Sequence, residues 1–207
     1  FDNVTIIPAK GIEDTIKCAG TFHLNDRTLV TSIAGNIHDL SSFNDLSGGR
    51  RLAGRMNFSA DASVKLDDIF GSLKAQAEFN MEDAGFEGYT CKSISGGVVV
   101  SDGVIYLKNF EGNVMAGSND GFSCAGELRM KEGTIDFTAG AYVADLGTAR
   151  EMIKKIAGDL PLNGSFEMYI TIDGNINAGL NGLRISTLFR GKDLALDKYH
   201  CESVRGQ

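Results

Sequence analysis

Three histidines and four cysteines are the side chains best suited to chemistry in this chain of 207 residues, and their placement argues against a reactive centre. His23, His38 and His200 do not complete a zinc-ligand pattern with Cys18, Cys91, Cys124 or Cys201. His200 and Cys201 are adjacent, but neighbours on a strand point to opposite faces, so they are a poor base and nucleophile. Asp61, Asp67, Asp68, Glu82 and Asp83 make an acidic stretch that falls mostly on expected turns without the order of an EF-hand, which reads as a solvated edge. The sequence holds no Gly-x-Ser-x-Gly elbow, P-loop or dinucleotide fingerprint. Asn3-Val4-Thr5, Asn57-Phe58-Ser59 and Asn163-Gly164-Ser165 fit the glycosylation pattern, which is frequent by chance. The expectation is a protein that is not an enzyme, with no metal and no cofactor.

The elements that carry these residues recur. Cys18-Ala19-Gly20 returns as Cys124-Ala125-Gly126, and at a shift of 106 Gly11 falls on Gly117, Thr28 on Thr134 and Asp39-Leu40 on Asp145-Leu146. The shift then becomes 110, where Gly54 meets Gly164, Phe79 meets Phe189, Asp83 meets Asp193 and Tyr89-x-Cys91-x-Ser93 meets Tyr199-x-Cys201-x-Ser203. The reading is two tandem repeats, 1–106 and 107–207, sharing one sheet. The second copy stops at Gly206-Gln207, where the first runs on past Gly96-Gly97, so a fragment of a longer protein with further repeats is expected. In such an array the working part is a surface. The cysteines recur with the repeat, which favours small core residues over bridges; if the compartment is oxidising, Cys91 and Cys124 could still meet across strands.

Composition bounds the partners. With 43% hydrophobic residues and two prolines the chain is expected to fold, and 26 glycines suit many tight turns. A net charge of −7 with scattered Lys and Arg argues against nucleic acid. The longest uncharged apolar runs are too short to cross a bilayer as a helix.

Val98-Val99-Val100, Ser101-Asp102-Gly103, Val104-Ile105-Tyr106-Leu107 reads as two strands joined by a tight turn, because Asp-Gly supplies positive φ. Leu128 and Met130, then Lys131-Glu132-Gly133, then Ile135 and Phe137 make a second hairpin, with its counterpart around Asn25-Asp26-Arg27. Phe166, Met168, Ile170 and Ile172 alternate with polar neighbours, as Met56 and Phe58 do, so one face is apolar and one is wet. A short amphipathic helix is expected in each repeat. Residues 145–158 place Leu146, Met152, Ile153 and Ile156 at helical spacing, and the earlier counterpart, 39–48, is a turn shorter. The fold class is therefore mainly β, a curled antiparallel sheet forming an open groove. One short helix per repeat is too little to cover such a face, and its candidate lining is Met56, Phe58, Val98, Val100, Ile105, Leu107, Leu128, Met130, Ile135, Phe137, Phe166, Met168 and Ile170.

The ordered series from Gly97-Val98-Val99-Val100-Ser101-Asp102-Gly103 to Phe110 and Gly117, through Cys124-Ala125-Gly126-Glu127-Leu128 and Ala144-Asp145-Leu146, to Leu162-Asn163-Gly164-Ser165-Phe166 resembles the AsmA-like family of bacterial envelope proteins, of the TamB and YhdP type. The resemblance covers nearly the whole chain; the cysteines depart from it. It implies a trough anchored in the inner membrane by a segment outside this chain and extending through the periplasm. It also implies that the trough carries phospholipid or another acyl-chain ligand towards the outer membrane, with no catalytic residues. The competing expectation is a non-catalytic β module, serving outer-membrane protein assembly or a surface scaffold, that receives strands at its edges.

Overall fold

The computed structural model describes residues 4–6, 14–44, 51–86, 89–114, 120–147, 154, 162–196 and 199–207. Twelve strands follow one another in a single antiparallel meander, each paired with the strands before and after it in sequence. They are β1 (Val4–Ile6), β2 (Thr15–His23), β3 (Thr28–Ile37), β4 (Leu52–Lys65), β5 (Lys74–Phe86) and β6 (Tyr89–Ser101). The order continues with β7 (Val104–Asn113), β8 (Gly121–Arg129), β9 (Thr134–Val143), β10 (Leu162–Asn175), β11 (Leu183–Leu196) and β12 (Tyr199–Gly206). β1 and β12 each pair on one side only, so the sheet does not close into a barrel.

Turn chemistry explains the meander. Asp102 (φ 53°) and Gly103 (φ 76°) both take the left-handed conformation that a two-residue hairpin with native twist requires. Arg27 (φ 53°) and Gly133 (φ 67°) end the β2–β3 and β8–β9 turns in the same way. In β4 and β10, Gly54 (φ 106°) and Gly164 (φ 104°) stand opposite Asp83 (φ 50°) and Asp193 (φ 51°), where the register slips. A β-carbon at Gly54 would lie 2.7 Å from the carbonyl oxygens of Glu82 and Asp83, so these bulges need glycine.

The helices differ from expectation. Of the helix expected over 39–48, residues 45–48 lie outside the described residues, and Leu40–Phe43 form a 3-10 turn and not an α-helix: Asp39 accepts from Ser41 N at 2.9 Å, and Leu40 is buried. Of 145–158 only Asp145, Leu146, Gly147 and Lys154 lie within the described residues, Lys154 being helical and exposed; the rest of that expected helix lies outside them. Among the described residues an α-helix, α1 (Ile69–Ser72), stands in the β4–β5 connection, where the sequence reads as a turn. It exists because Asp68 caps it, accepting from Gly71 N at 3.0 Å. In the matching β10–β11 connection Asn175 caps a 3-10 segment, Ile176–Gly182.

Burial is slight. The accessible surface is 13482 Å², against roughly 9,300 Å² expected of a globular chain of this mass. Among the described residues the buried apolar side chains are Ile37, Leu40 and Ala84, all at the end of the strands where β3 connects to β4 and β5 to β6. Asp14 and Asp120 are buried at that same end and act as paired clamps: Asp14 Oδ1 accepts from His38 N and Asp120 Oδ1 from Ala144 N, each at 2.6 Å.

Candidate functional site

Strand pairing places the apolar residues on one face in continuous cross-strand rows. One row runs Ile37, Met56, Met81, Ile94, Gly112, Phe122, Ala141, Met168, Phe189. The next includes Phe58 and Phe79 on one side and Phe110, Cys124, Ala139 and Ile170 on the other. A third passes through Ile33, Ala60, Ala77, Val98, Leu107, Gly126, Phe137, Ile172 and Ile185. A fourth joins Ala62, Ala75, Val100, Ile105, Leu128 and Ile135. No charged residue stands in these rows, while the alternate positions carry Asp61, Glu78, Lys108, Glu127, Asp136 and Arg190.

The thirteen residues proposed from sequence thus fall where their alternation puts them, with two refinements. Met130 lies just beyond β8, in the turn, its N–H donating to Gly103 O at 2.9 Å. Phe166 pairs with Val143 and Gly191, one row nearer the packed end than Met168. Met56 and Phe166 hold equivalent places in sequence, yet Met56 shares its row with Met168. The same two-residue stagger holds in the third row, where Ala60 shares its row with Ile172 and not with Ile170.

All thirteen side chains are half-buried. Each strand packs chiefly against its sheet neighbours, and among the described residues no second sheet covers the face. Aromatic contacts tie it together laterally: Phe79 meets Phe110 edge-on with ring centroids 5.6 Å apart, and Phe166 stacks on Phe189 at 6.4 Å. Towards the packed end the face deepens into a cavity of about 390 Å³ lined by Leu52, Met81, Phe86, Ile94, Phe122 and Val143, with the Cys91 thiol on its wall. Sequence reasoning missed Leu52, Met81, Phe86, Ile94, Phe122 and Val143. Met81 and Val143 were open to discovery through the same alternation; the cavity depends on register.

The chemistry-bearing side chains do not converge. Among the described residues no three His, Cys, Asp or Glu side chains are grouped to hold a metal. His38 Nδ1 lies 3.5 Å from Asp14 Oδ1, an isolated pair. The acidic stretch is exposed and engaged in surface pairs, Arg27 with Asp67 at 2.6 Å and Lys92 with Asp83 at 2.6 Å. The Lys92 hydrogen bond and charge hold the Asp83 carboxyl below its ordinary range. The four cysteines are free thiols. Contrary to the core reading, Cys18, Cys91 and Cys124 are only half-buried and Cys201 is exposed. Cys91 and Cys124 stand on β6 and β8, with β7 between them. Burial pushes the Cys91 and Cys124 thiols up.

The chain matches no family model, no curated protein and no solved structure. Its geometry alone therefore bears on its function. Among the described residues no helix is long and apolar enough to cross a membrane.

Proposed function

We propose that this chain is a segment of an AsmA-like envelope protein, built of two tandem repeats and curled into an open groove whose apolar face carries acyl chains of phospholipid across the periplasm. The observation that carries this reading is the uncharged apolar face that runs across the strands and that, among the described residues, has no covering layer. The repeat is supported by matched element bounds: β2 and β8, and β3 and β9, coincide at a shift of 106, and β4 and β10 at 110.

Hydrocarbon on this face removes apolar surface from water on both partners, at about 0.8 kcal/mol per buried CH₂. Headgroups stay in solvent beyond the rows. Since the rows repeat from strand to strand without a charge, neighbouring positions hold an acyl chain with similar strength and it can step between them. The residues act by packing and by excluding water; none takes part in bond chemistry. Further repeats pairing at the free edges of β1 and β12 lengthen the path. The same free edges support the second reading, a module that accepts strands from outer-membrane proteins.

Native mass spectrometry of the purified chain, with extraction and identification of co-purifying lipid, separates the two. Bound phospholipid at defined stoichiometry supports the groove. A lipid-free chain that instead captures extended peptide favours the strand acceptor.

A further inference from the structure

In an antiparallel meander the β2–β3, β4–β5, β6–β7, β8–β9 and β10–β11 connections all lie at one end of the strands. At this end large aliphatic side chains stand bare on the turn tips. Leu24 is 79% exposed and Leu180 85%, and Leu66, Ile69 and Ile176 are exposed as well. The opposite end holds the buried Ile37, Leu40 and Ala84 together with the exposed aromatics Phe86 and Tyr199. One bare tip recurs: Leu66 and Ile176 are equivalent at the shift of 110, whereas Met130, the equivalent of Leu24 at 106, is half-buried.

Charge at this rim is arranged around the tips. Acidic side chains stand here too: Asp26 accepts from Thr28 N at 3.2 Å, Asp67 holds Arg27, Asp68 caps α1, Asp102 accepts from Ser101 Oγ at 2.8 Å, and Glu132 adjoins Lys131 in the chain. Among the described residues Lys65, Lys74 and Lys131 make no ion pair, and Lys65 and Lys131 directly adjoin Leu66 and Met130 in the chain. We propose that this rim is a membrane-docking edge, which inserts its aliphatic tips among the headgroups of a phospholipid bilayer while the lysines reach the phosphates. The tips sit on turns about 10 Å or more apart, two strands per step. They form a line of separate anchors and not the contiguous patch that a protein interface buries. A bilayer surface accepts separate aliphatic anchors, and lysine stems extend along apolar surface with the ammonium at the phosphate level. This edge runs along the strand order, so a docked chain lies along the bilayer and does not cross the periplasm; the docking edge stands on the exposed tips alone, whether or not the apolar face carries lipid.

Co-sedimentation of the 207-residue chain with vesicles of phosphatidylethanolamine and phosphatidylglycerol tests it, comparing the parent with the double variant Leu24→Asp, Leu180→Asp and with Thr171→Asp on the polar face. Circular dichroism checks the fold, which the exposure of both tips should preserve. The expected result is vesicle binding by the parent and by Thr171→Asp, reduced about tenfold or more in the double variant, as loss of two interfacial anchors requires. Absence of parent binding, equal binding by the double variant, or tip-dependent self-association without vesicles would each overturn the docking edge. Binding of a soluble fluorescent fatty acid, measured on the same samples, reports the apolar face separately and should not change in the double variant.

Discussion

The ring of Phe122 lies across Gly112 on the neighbouring strand, so close that a β-carbon at residue 112 would overlap the ring edge. Phe58 lies across Gly35, Phe110 across Gly96 and Phe189 across Gly206 in the same manner. Glycine weakens a strand by itself, and a flat aromatic from the adjacent strand restores the lost contact and smooths the face. Gly112→Val should therefore destabilise the chain by about 1 to 3 kcal/mol through overpacking. Adding Phe122→Ala should recover part of that loss. Denaturant unfolding of the two single variants and the double variant measures the coupling, and additive losses would show that the pair does not interact as described.

Asp14 and Asp120 offer a test of equivalence. Each buried carboxylate accepts a backbone N–H of the strand end beyond the next strand, His38 or Ala144. Asp14→Ala and Asp120→Ala each remove a charge-assisted hydrogen bond to a part-buried backbone N–H, at about 1 to 3 kcal/mol. The two losses should agree within about 0.5 kcal/mol, the level to which separate sites add. A large inequality in urea midpoints would separate the two halves energetically.

Thiol labelling checks the exposure pattern. Cys201 is exposed, whereas burial raises the Cys91 and Cys124 thiols, and the reactive thiolate forms only as pH approaches the raised value. Iodoacetamide at pH 8 should modify Cys201 first, with Cys91 and Cys124 gaining rate as pH rises further. Peptide mapping in which Cys91 or Cys124 leads at pH 8 would contradict the described burial.

Much of this was legible in sequence because it depends on local rules. Asp102-Gly103 has the chemistry of its turn, and the alternation of Phe166, Met168 and Ile170 has period two, so strands and their faces follow from short windows. What escaped depends on pairing between distant residues. The stagger that aligns Met56 with Met168 comes from the summed register of every strand pair between β4 and β10. The cavity beside Leu52 and Val143 assembles from strands far apart in the chain. The segment beginning at Asp39 has helical spacing, but the Asp39 side chain closes a tighter 3-10 turn at once. Conversely, α1 follows from the Asp68 cap, a signal present in the sequence and read as a turn.

The central claim is that the apolar face holds hydrocarbon, and charge placed on that face tests it most directly. Met56→Glu and Phe166→Glu introduce a carboxylate among half-buried apolar neighbours, while Asn57→Glu places the same charge on the exposed polar face of the same strand. The measurement is equilibrium binding of a fluorescent phospholipid to each purified chain, with thermal unfolding recorded in parallel. Both apolar-face variants should bind roughly 50-fold or more weakly, the scale of about 2.5 kcal/mol for a carboxylate set in hydrocarbon, and should keep a cooperative melt; Asn57→Glu should bind as the parent does. Unchanged binding in Met56→Glu and Phe166→Glu, or loss of the fold in both, would contradict the account.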